Sequence, residues 1–218
     1  MQLSLLERRQ AGEIPDTLLL LEHPHVYTLG RRGGDEDLLR GGAELEAAGA
    51  QVVQTDRGGQ ATYHGPGQLI CYAIFDLRVG GLGPVTYVRR LEEVIIGVLS
   101  ESGVEGHRVA GKTGVWTYGS IRPDLAPPLE TGEAKIAAIG VRISRGVAMH
   151  GFALNVSTEL ERFDSIVPCG MPEVRMASIR SICGEAPDME VAASLAAATF
   201  GRVFERAVKS EKPERLAA

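Results

Sequence analysis

The sequence predicts an α+β fold of mixed, largely antiparallel sheets flanked by helices, and three observations carry that prediction. Apolar runs of buried-strand length recur at 17–21, 69–76, 135–143 and 148–156. Strong 3.6-residue periodicity is concentrated in 85–101 and in an Ala-rich stretch at 190–208, so strands and helices do not alternate as βαβ units require. Ser144-Arg145-Gly146 joins the last two strands over a span that only an antiparallel hairpin can bridge.

Residues 2–11 place Leu3, Leu5, Leu6 and Ala11 among charges, as a short amphipathic helix does. Pro15-Asp16 ends it, and 17–21 follows as a strand. His23-Pro24-His25 turns the chain into a strand at 26–29, and Gly30-Arg-Arg-Gly-Gly34 is loop. Residues 36–48 read as a helix interrupted at Gly41-Gly42, with Gly49 suited to its C-terminal cap. A short strand at 51–55 feeds a glycine-rich loop that runs to Gln68. Gly80-Gly-Leu-Gly-Pro84 turns the chain into the helix 85–101. That helix sets Val85, Val88, Leu91, Ile95, Val98 and Leu99 on one face, with Arg89, Glu92 and Glu93 opposite. A turn leads into a strand at 111–118, and three prolines and two glycines make 119–132 a long loop. No repeat or linker divides the chain, so 1–218 reads as one domain.

Composition removes several classes of function. An aromatic share of 5% leaves little for a base-stacking platform, and a net charge of −5 opposes a phosphate backbone, so nucleic acid is not expected as a partner. Three cysteines lack Cys-x-x-Cys or Cys/His ligand spacing, so no metal is expected, and their odd number suits a reducing compartment. Glu7, Arg8, Arg9 and Gln10 stand where a signal peptide needs apolar residues, and 18–21 is far too short to span a bilayer. A cytoplasmic protein without a membrane partner is the expectation.

The most informative segment is Arg57-Gly-Gly-Gln-Ala-Thr-Tyr-His64-Gly-Pro-Gly-Gln68. Four glycines and a proline shape a loop that enters the apolar strand 69–76, with a cation and an imidazole at its rim. Small-ligand sites are commonly built this way, although the same residues also serve plain turns.

Three residues stand out as candidates for chemistry. Cys169, in Pro168-Cys-Gly170, has little side-chain crowding around its sulfur; it is either a nucleophile or a buried small hydrophobe. Cys71, inside an apolar strand, takes the second reading. Lys135 is the only cation in the apolar stretch Gly132-Glu-Ala-Lys135-Ile-Ala-Ala-Ile-Gly140, either snorkelling to water or partly desolvated and available as a base. His150, at a strand start, suits a structural or hydrogen-bond-orienting role better than a catalytic one.

Together the segments resemble the lipoyl(octanoyl) transferases. The resemblance runs through Leu18-Leu-Leu-Leu-Glu-His23-Pro24, Tyr27-Thr-Leu-Gly-Arg-Arg32, the 57–68 signature, Gly111-Lys-Thr-Gly-Val-Trp116, Lys135-Ile-Ala-Ala-Ile-Gly-Val-Arg142, His150-Gly-Phe-Ala-Leu-Asn155 and Pro168-Cys-Gly170. These lie in the family's order over about three quarters of the chain, which no single glycine-rich motif could match in specificity.

That resemblance implies the catalytic-domain fold of biotin and lipoate protein ligases. It also implies transfer of an octanoyl group from octanoyl-acyl carrier protein to a lysine of lipoyl domains, those of 2-oxoacid dehydrogenases and of the glycine cleavage H protein. It makes Cys169 the acylated residue and Lys135 its activator, since a cation about 4 Å from a sulfur favours the thiolate by up to ~4 kcal/mol. The segments matching the acyl site are Arg57, Gly58, Gly59, Gln60, Ala61, Thr62, Tyr63 and His64, with Ala138, Ile139 and Gly140, and Gly151, Phe152 and Ala153. His64 is expected to close the loop over the acyl group by hydrogen bonding, in an apolar slot lined by Leu and Ile. Arg31, Arg32, Arg142 and Arg145 would form a basic rim for acidic carrier domains. No cofactor is implied, and the enzyme is expected to act as a monomer.

Family members carry a further strand and part of a helix before the segment matching Leu6-Glu-Arg-Arg9, so the expected start lies upstream of Met1. The 118–131 segment is also longer than usual. Two rival readings are an ATP-dependent ligase of the lipoate or biotin type, which needs no nucleophilic cysteine, and a non-catalytic acyl-binding adaptor.

Overall fold

The structure, a computed structural model, describes residues 1–120 and 132–211. In chain order these form α1 (Gln2–Gln10), β1 (Thr17–Leu21), β2 (Val26–Leu29), α2 (Gly42–Ala47), β3 (Gln51–Gln54), β4 (Ala61–His64), β5 (Gln68–Asp76), α3 (Pro84–Glu101), β6 (Val104–Val109), β7 (Lys112–Ser120), β8 (Ala134–Ser144), β9 (Val147–Asn155), α4 (Ile179–Cys183) and α5 (Met189–Phe204). Six strands make one sheet in the order β1-β5-β9-β8-β7-β6, antiparallel throughout. Three more make a second sheet, β3-β2-β4, in which β2 runs parallel to β3 and antiparallel to β4. The predicted α+β class with largely antiparallel sheet is therefore the observed one.

Strand alternation decides what each face of the large sheet meets. On β5, Leu69, Cys71, Ala73 and Phe75 enter the main core with Leu91, Val94, Ile95, Val98 and Leu99 of α3 and Ala192, Ala196, Phe200 and Phe204 of α5. The alternate residue Ile74 faces the other way, where Leu5 and Leu6 of α1 pack with Leu19, Val147 and Met149. The small sheet has its own core of Tyr27, Leu29, Ala61, Tyr63, Phe163 and Ile166. Each fully buried Leu, Ile or Phe contributes about 1.5–3 kcal/mol of transfer free energy.

Several expectations change. The 57–68 segment is not all loop: Ala61–His64 pairs residue for residue with β2 as a strand, so Arg57 and His64 are buried and not at a rim. The helix expected at 36–48 splits into a 3-10 turn, Asp35–Asp37, and the six-residue α2, because Gly41 takes an extended-type conformation between them. On α3 the apolar face is rotated: Val85 is 74% exposed while Tyr87 and Glu92 are buried. Glu92 is tolerated inside because Arg89 (2.7 Å) and Arg108 (3.1 Å) neutralise it. The last helix stops at Phe204 and not at 208, because Glu205 adopts a left-handed cap.

Besides β4, a strand and a helix went unpredicted. The strand β6, Val-Glu-Gly-His-Arg-Val, is too polar to show a clear alternation and lies at a sheet edge. The five-residue α4 is announced only by its Ser178 cap, reciprocated by Ser181. The strand expected at 111–118 extends to Ser120, and most of the expected loop, 121–131, lies outside the described residues.

Candidate active site

Cys169 sits on a one-turn 3-10 element, Pro168–Gly170, in the left-handed region at φ 55°. Non-glycine residues are held there only by over-determined surroundings. The preceding segment supplies them: Val167 N–H donates to Asp37 O (2.8 Å), and Leu39 N–H to Ser165 O (2.9 Å). Gly170 follows at φ 69°, where a β-carbon would come within 2.1 Å of the Gln60 side chain. The Pro-Cys-Gly motif is thus a turn that presents a sulfur against the 57–60 loop.

Lys135 reaches the same sulfur from the other side. Its backbone is clamped on β8: its N–H donates to Arg175 O (2.8 Å), and its carbonyl accepts from Ala177 N–H (2.9 Å). The side chain is 2% exposed, and Nζ lies 3.2 Å from Cys169 Sγ. The Trp116 ring lies beside it, 5.7 Å from Nζ to the ring centroid. Two candidates 34 residues apart in sequence are therefore brought into contact.

Cys169 opens on a cavity of about 150 Å³ lined by Arg57, Gly58, Gly59, Gln60, Thr62, His64, Ala138, Ile139, Gly140, His150, Gly151, Phe152 and Ala153, together with Gln2, Thr28, Thr55, Ile70 and Tyr72. Two predicted contacts are misplaced. Ala61 and Tyr63 alternate with Thr62 and His64 along β4 and so turn into the core of the small sheet. The expected Leu and Ile lining is met only in part: among the described residues the wall contains Ile70 and Ile139 but no leucine, and several of its side chains are polar. Tyr72 and Ile70 could have been found from the alternation of β5. Gln2 and Thr28 had no sequence signal.

A buried polar chain ties this wall to Lys135. Arg57 donates to Thr28 Oγ1 from Nε (3.2 Å) and Nη2 (2.8 Å), to the Thr28 carbonyl, and to Gly58 O (3.1 Å). Burial holds its guanidinium below the ordinary arginine value, against the opposing fields of Cys169 and Tyr72. The His64 ring meets Thr28 Oγ1 at 3.3 Å and Gln68 Oε1 at 2.8 Å. Gln68 Nε2 donates to Asn155 Oδ1 (2.8 Å), and Asn155 Nδ2 to the Ala177 carbonyl (3.0 Å). The Ala177 N–H is the donor to Lys135. Burial pushes His64 down to about 4, opposed by Gln68 and helped by the Arg57, His23 and His150 charges. His64 is therefore neutral at pH 7, with its ring hydrogen bonds made to protein. These bonds fix the ring within the cavity wall.

His150 lines the cavity for a conformational reason. Its β9 neighbours Ala148, Phe152 and Leu154 face the main core, and strict alternation would send its ring there too. A φ of 59° turns it instead toward Tyr72 and Asp56. Its Nε2 donates to Asp56 Oδ1 (2.7 Å), and Arg142 pairs with the other Asp56 oxygen. Burial lowers the His150 value, with Asp56 opposing, so the orienting role expected for His150 has a defined partner. Arg142 is consequently neutralised by Asp56, whereas Arg31, Arg32 and Arg145 are exposed.

The remaining cysteines are elsewhere. Burial raises Cys71 to about 12, as fits a small hydrophobe, and Cys183 Sγ points at the Ser102 and Gly103 carbonyls. Among the described residues there is no group of three or more His, Cys, Asp or Glu side chains placed to hold a metal ion. No helix among them is long and apolar enough to cross a membrane.

A family model described as the lipoyl protein ligase A/B catalytic domain matches residues 1–201. An octanoyltransferase of Acidobacterium capsulatum is 46% identical over 213 residues, covering 94% of this chain and 83% of its own. One from Chloroflexus aurantiacus is 47% identical over 204 residues, covering 93% and 86%. Among solved structures, the bipartite lipoate protein ligase of an archaeal lipoylation system, from Thermoplasma acidophilum, has a TM-score of 0.71 at 15% identity, covering 99% of this chain and 84% of that one. A lipoate-protein ligase A bound with ATP has a TM-score of 0.67 at 16% identity, covering 99% and 87%. At such identities the likeness is one of fold.

Proposed function

This chain belongs to the lipoyl protein ligase A/B catalytic-domain family, among the octanoyltransferases, and on that premise we propose that it passes an octanoyl group to a lysine of a lipoyl domain through a thioester on Cys169. The donor is octanoyl-acyl carrier protein. The acceptors are the lipoyl domains of 2-oxoacid dehydrogenases and the glycine cleavage H protein. The whole chain acts as one catalytic domain, as a monomer in the cytoplasm. The observation that carries this reading is the 3.2 Å contact between Lys135 Nζ and Cys169 Sγ beside the cavity that Cys169 lines.

The Cys169 thiolate attacks the thioester carbonyl, the bond from that carbon to the carrier sulfur breaks, and the Lys135 ammonium protonates the departing thiolate. Octanoyl-Cys169 and neutral Lys135 remain. Neutral Lys135 then takes one proton from the incoming lysine ammonium, whose nitrogen attacks the Cys169 thioester. An amide forms, the Cys169 thiolate leaves, and the second nitrogen proton passes to solvent. Splitting the transfer this way lets each large partner occupy the site in turn.

Intact mass spectrometry tests the reading. Incubated with octanoyl-acyl carrier protein and no ATP, the protein is expected to gain one octanoyl group, and Cys169→Ala none. Lys135→Met should slow acylation by about 10²-fold or more, the range of a lost general acid. Acylation of Cys169→Ala at the normal rate, or AMP release from ATP with free octanoate, would overturn it in favour of a ligase.

A further inference from the structure

We propose that Gly114 and Trp116 of β7 are positioning residues, together forming the groove that delivers the Lys135 ammonium to Cys169. The inference rests on the Cys169–Lys135 reading above and deepens it.

A lysine that is 2% exposed needs a built path for its charged end. That path runs along β7. A β-carbon on Gly114 would come within 2.8 Å of Lys135 Cε, 3.4 Å of its Nζ and 2.6 Å of Ala137 O. Gly114 also has φ +121°, which L side chains rarely adopt. The β7–β8 register shifts at this point: Val115 faces Ala137, but Trp116 faces Lys135. Such bulges re-aim side chains beside functional sites. Gly114 N–H meets Glu92 Oε1 at 3.4 Å, and Arg89 and Arg108 hold that buried carboxylate, so the glycine backbone is also tied to α3.

The Trp116 ring is the second wall. It is 2% exposed, with Lys135 Nζ 5.7 Å and Lys112 Nζ 5.0 Å from its centroid, inside the range of cation–π attraction. Its indole N–H is buried and has no hydrogen-bond partner among the described residues. The groove therefore uses the face and size of the ring and not its donor, and phenylalanine should substitute. Neither Gly114 nor Trp116 lines the acyl cavity, so the groove acts through Lys135 alone.

The test compares iodoacetamide alkylation of Cys169 at pH 7, read by peptide mass, with Cys183 as internal reference. Lys135→Met is expected to slow Cys169 about tenfold, because the cation 3.2 Å from the sulfur is lost. Gly114→Ala should match it within about twofold, and Gly114→Ala with Lys135→Met should fall no further, because both remove one interaction. Trp116→Leu should slow Cys169 several-fold, while Trp116→Phe restores most of the rate. In turnover, Gly114→Ala should lower kcat and leave KM for the octanoyl donor unchanged. A merely loosened fold would do the opposite, speeding alkylation at Cys169 and exposing Cys71. Should Gly114→Ala not fold, Trp116→Leu decides. Wild-type alkylation in Lys135→Met overturns the catalytic reading. Slow alkylation in Lys135→Met with wild-type rates in Trp116→Leu, and in Gly114→Ala where it folds, overturns the groove alone.

Discussion

His150 Nε2 and Asp56 Oδ1 stand 2.7 Å apart, on segments separated by 94 positions in the chain. The pair holds an imidazole in a left-handed backbone conformation that it would otherwise leave. Burial alone would raise the Asp56 carboxyl, but the His150 hydrogen bond and the Arg142 charge outweigh it and leave the group below the usual range. Asp56→Asn should therefore release the ring into the cavity that Cys169 lines. We expect KM for the octanoyl donor to rise about three- to tenfold with kcat within twofold, the signature of lost ground-state binding. An unchanged KM would remove His150 from the slot wall.

His64 makes stability depend on pH in a defined window. Its folded value of about 4 lies below the unfolded 6.5, so between those values the unfolded chain binds more protons. The contribution is fully present above pH 6.5 and is lost as pH falls toward 4, amounting to about 3 kcal/mol at most. Urea midpoints measured from pH 7.5 to 4 should fall more steeply for the wild type than for His64→Gln. Parallel curves would show that His64 does not titrate this way.

Arg57→Lys is not a conservative change here. One ammonium cannot span the Thr28 hydroxyl, the Thr28 carbonyl and the Gly58 carbonyl, which the planar guanidinium meets together. At least one buried acceptor loses its donor, a cost of about 1–3 kcal/mol. Thermal unfolding should show a clear loss of stability, and donor KM should rise as the 57–60 loop loosens. Wild-type values for both would show that the fork geometry is dispensable.

Leu91 on α3 is completely buried between the large sheet and α5. Leu91→Ala should cost about 2–5 kcal/mol, the sum of lost transfer free energy and the cavity left behind. The same change at the exposed Leu3 should stay within about 0.5 kcal/mol, as surface substitutions do. Denaturant titration of both variants checks the core assignment.

Reading residues in order was enough for the fold class, most strands and the long helix α3, and the motif resemblance singled out Cys169 and Lys135 as the expected pair. Those features are written in local patterns, such as apolar runs, helical spacing and the flanks Pro168 and Gly170, and in the order of the motifs. Local pattern could also say that 57–64 would shape a site. It could not say that Ala61 and Tyr63 face a separate core, because that depends on β4 pairing with β2, distant in the chain. Nor could it show Glu92 buried between two arginines, or a backbone dihedral sending His150 out of alternation. Which residues meet across 34 or 94 positions is set by sheet register and by the packing of one face against another. The 3.2 Å approach of Lys135 Nζ to Cys169 Sγ, beside a glycine whose β-carbon would strike that side chain, was beyond reach of local pattern because it depends on how β7 registers against β8.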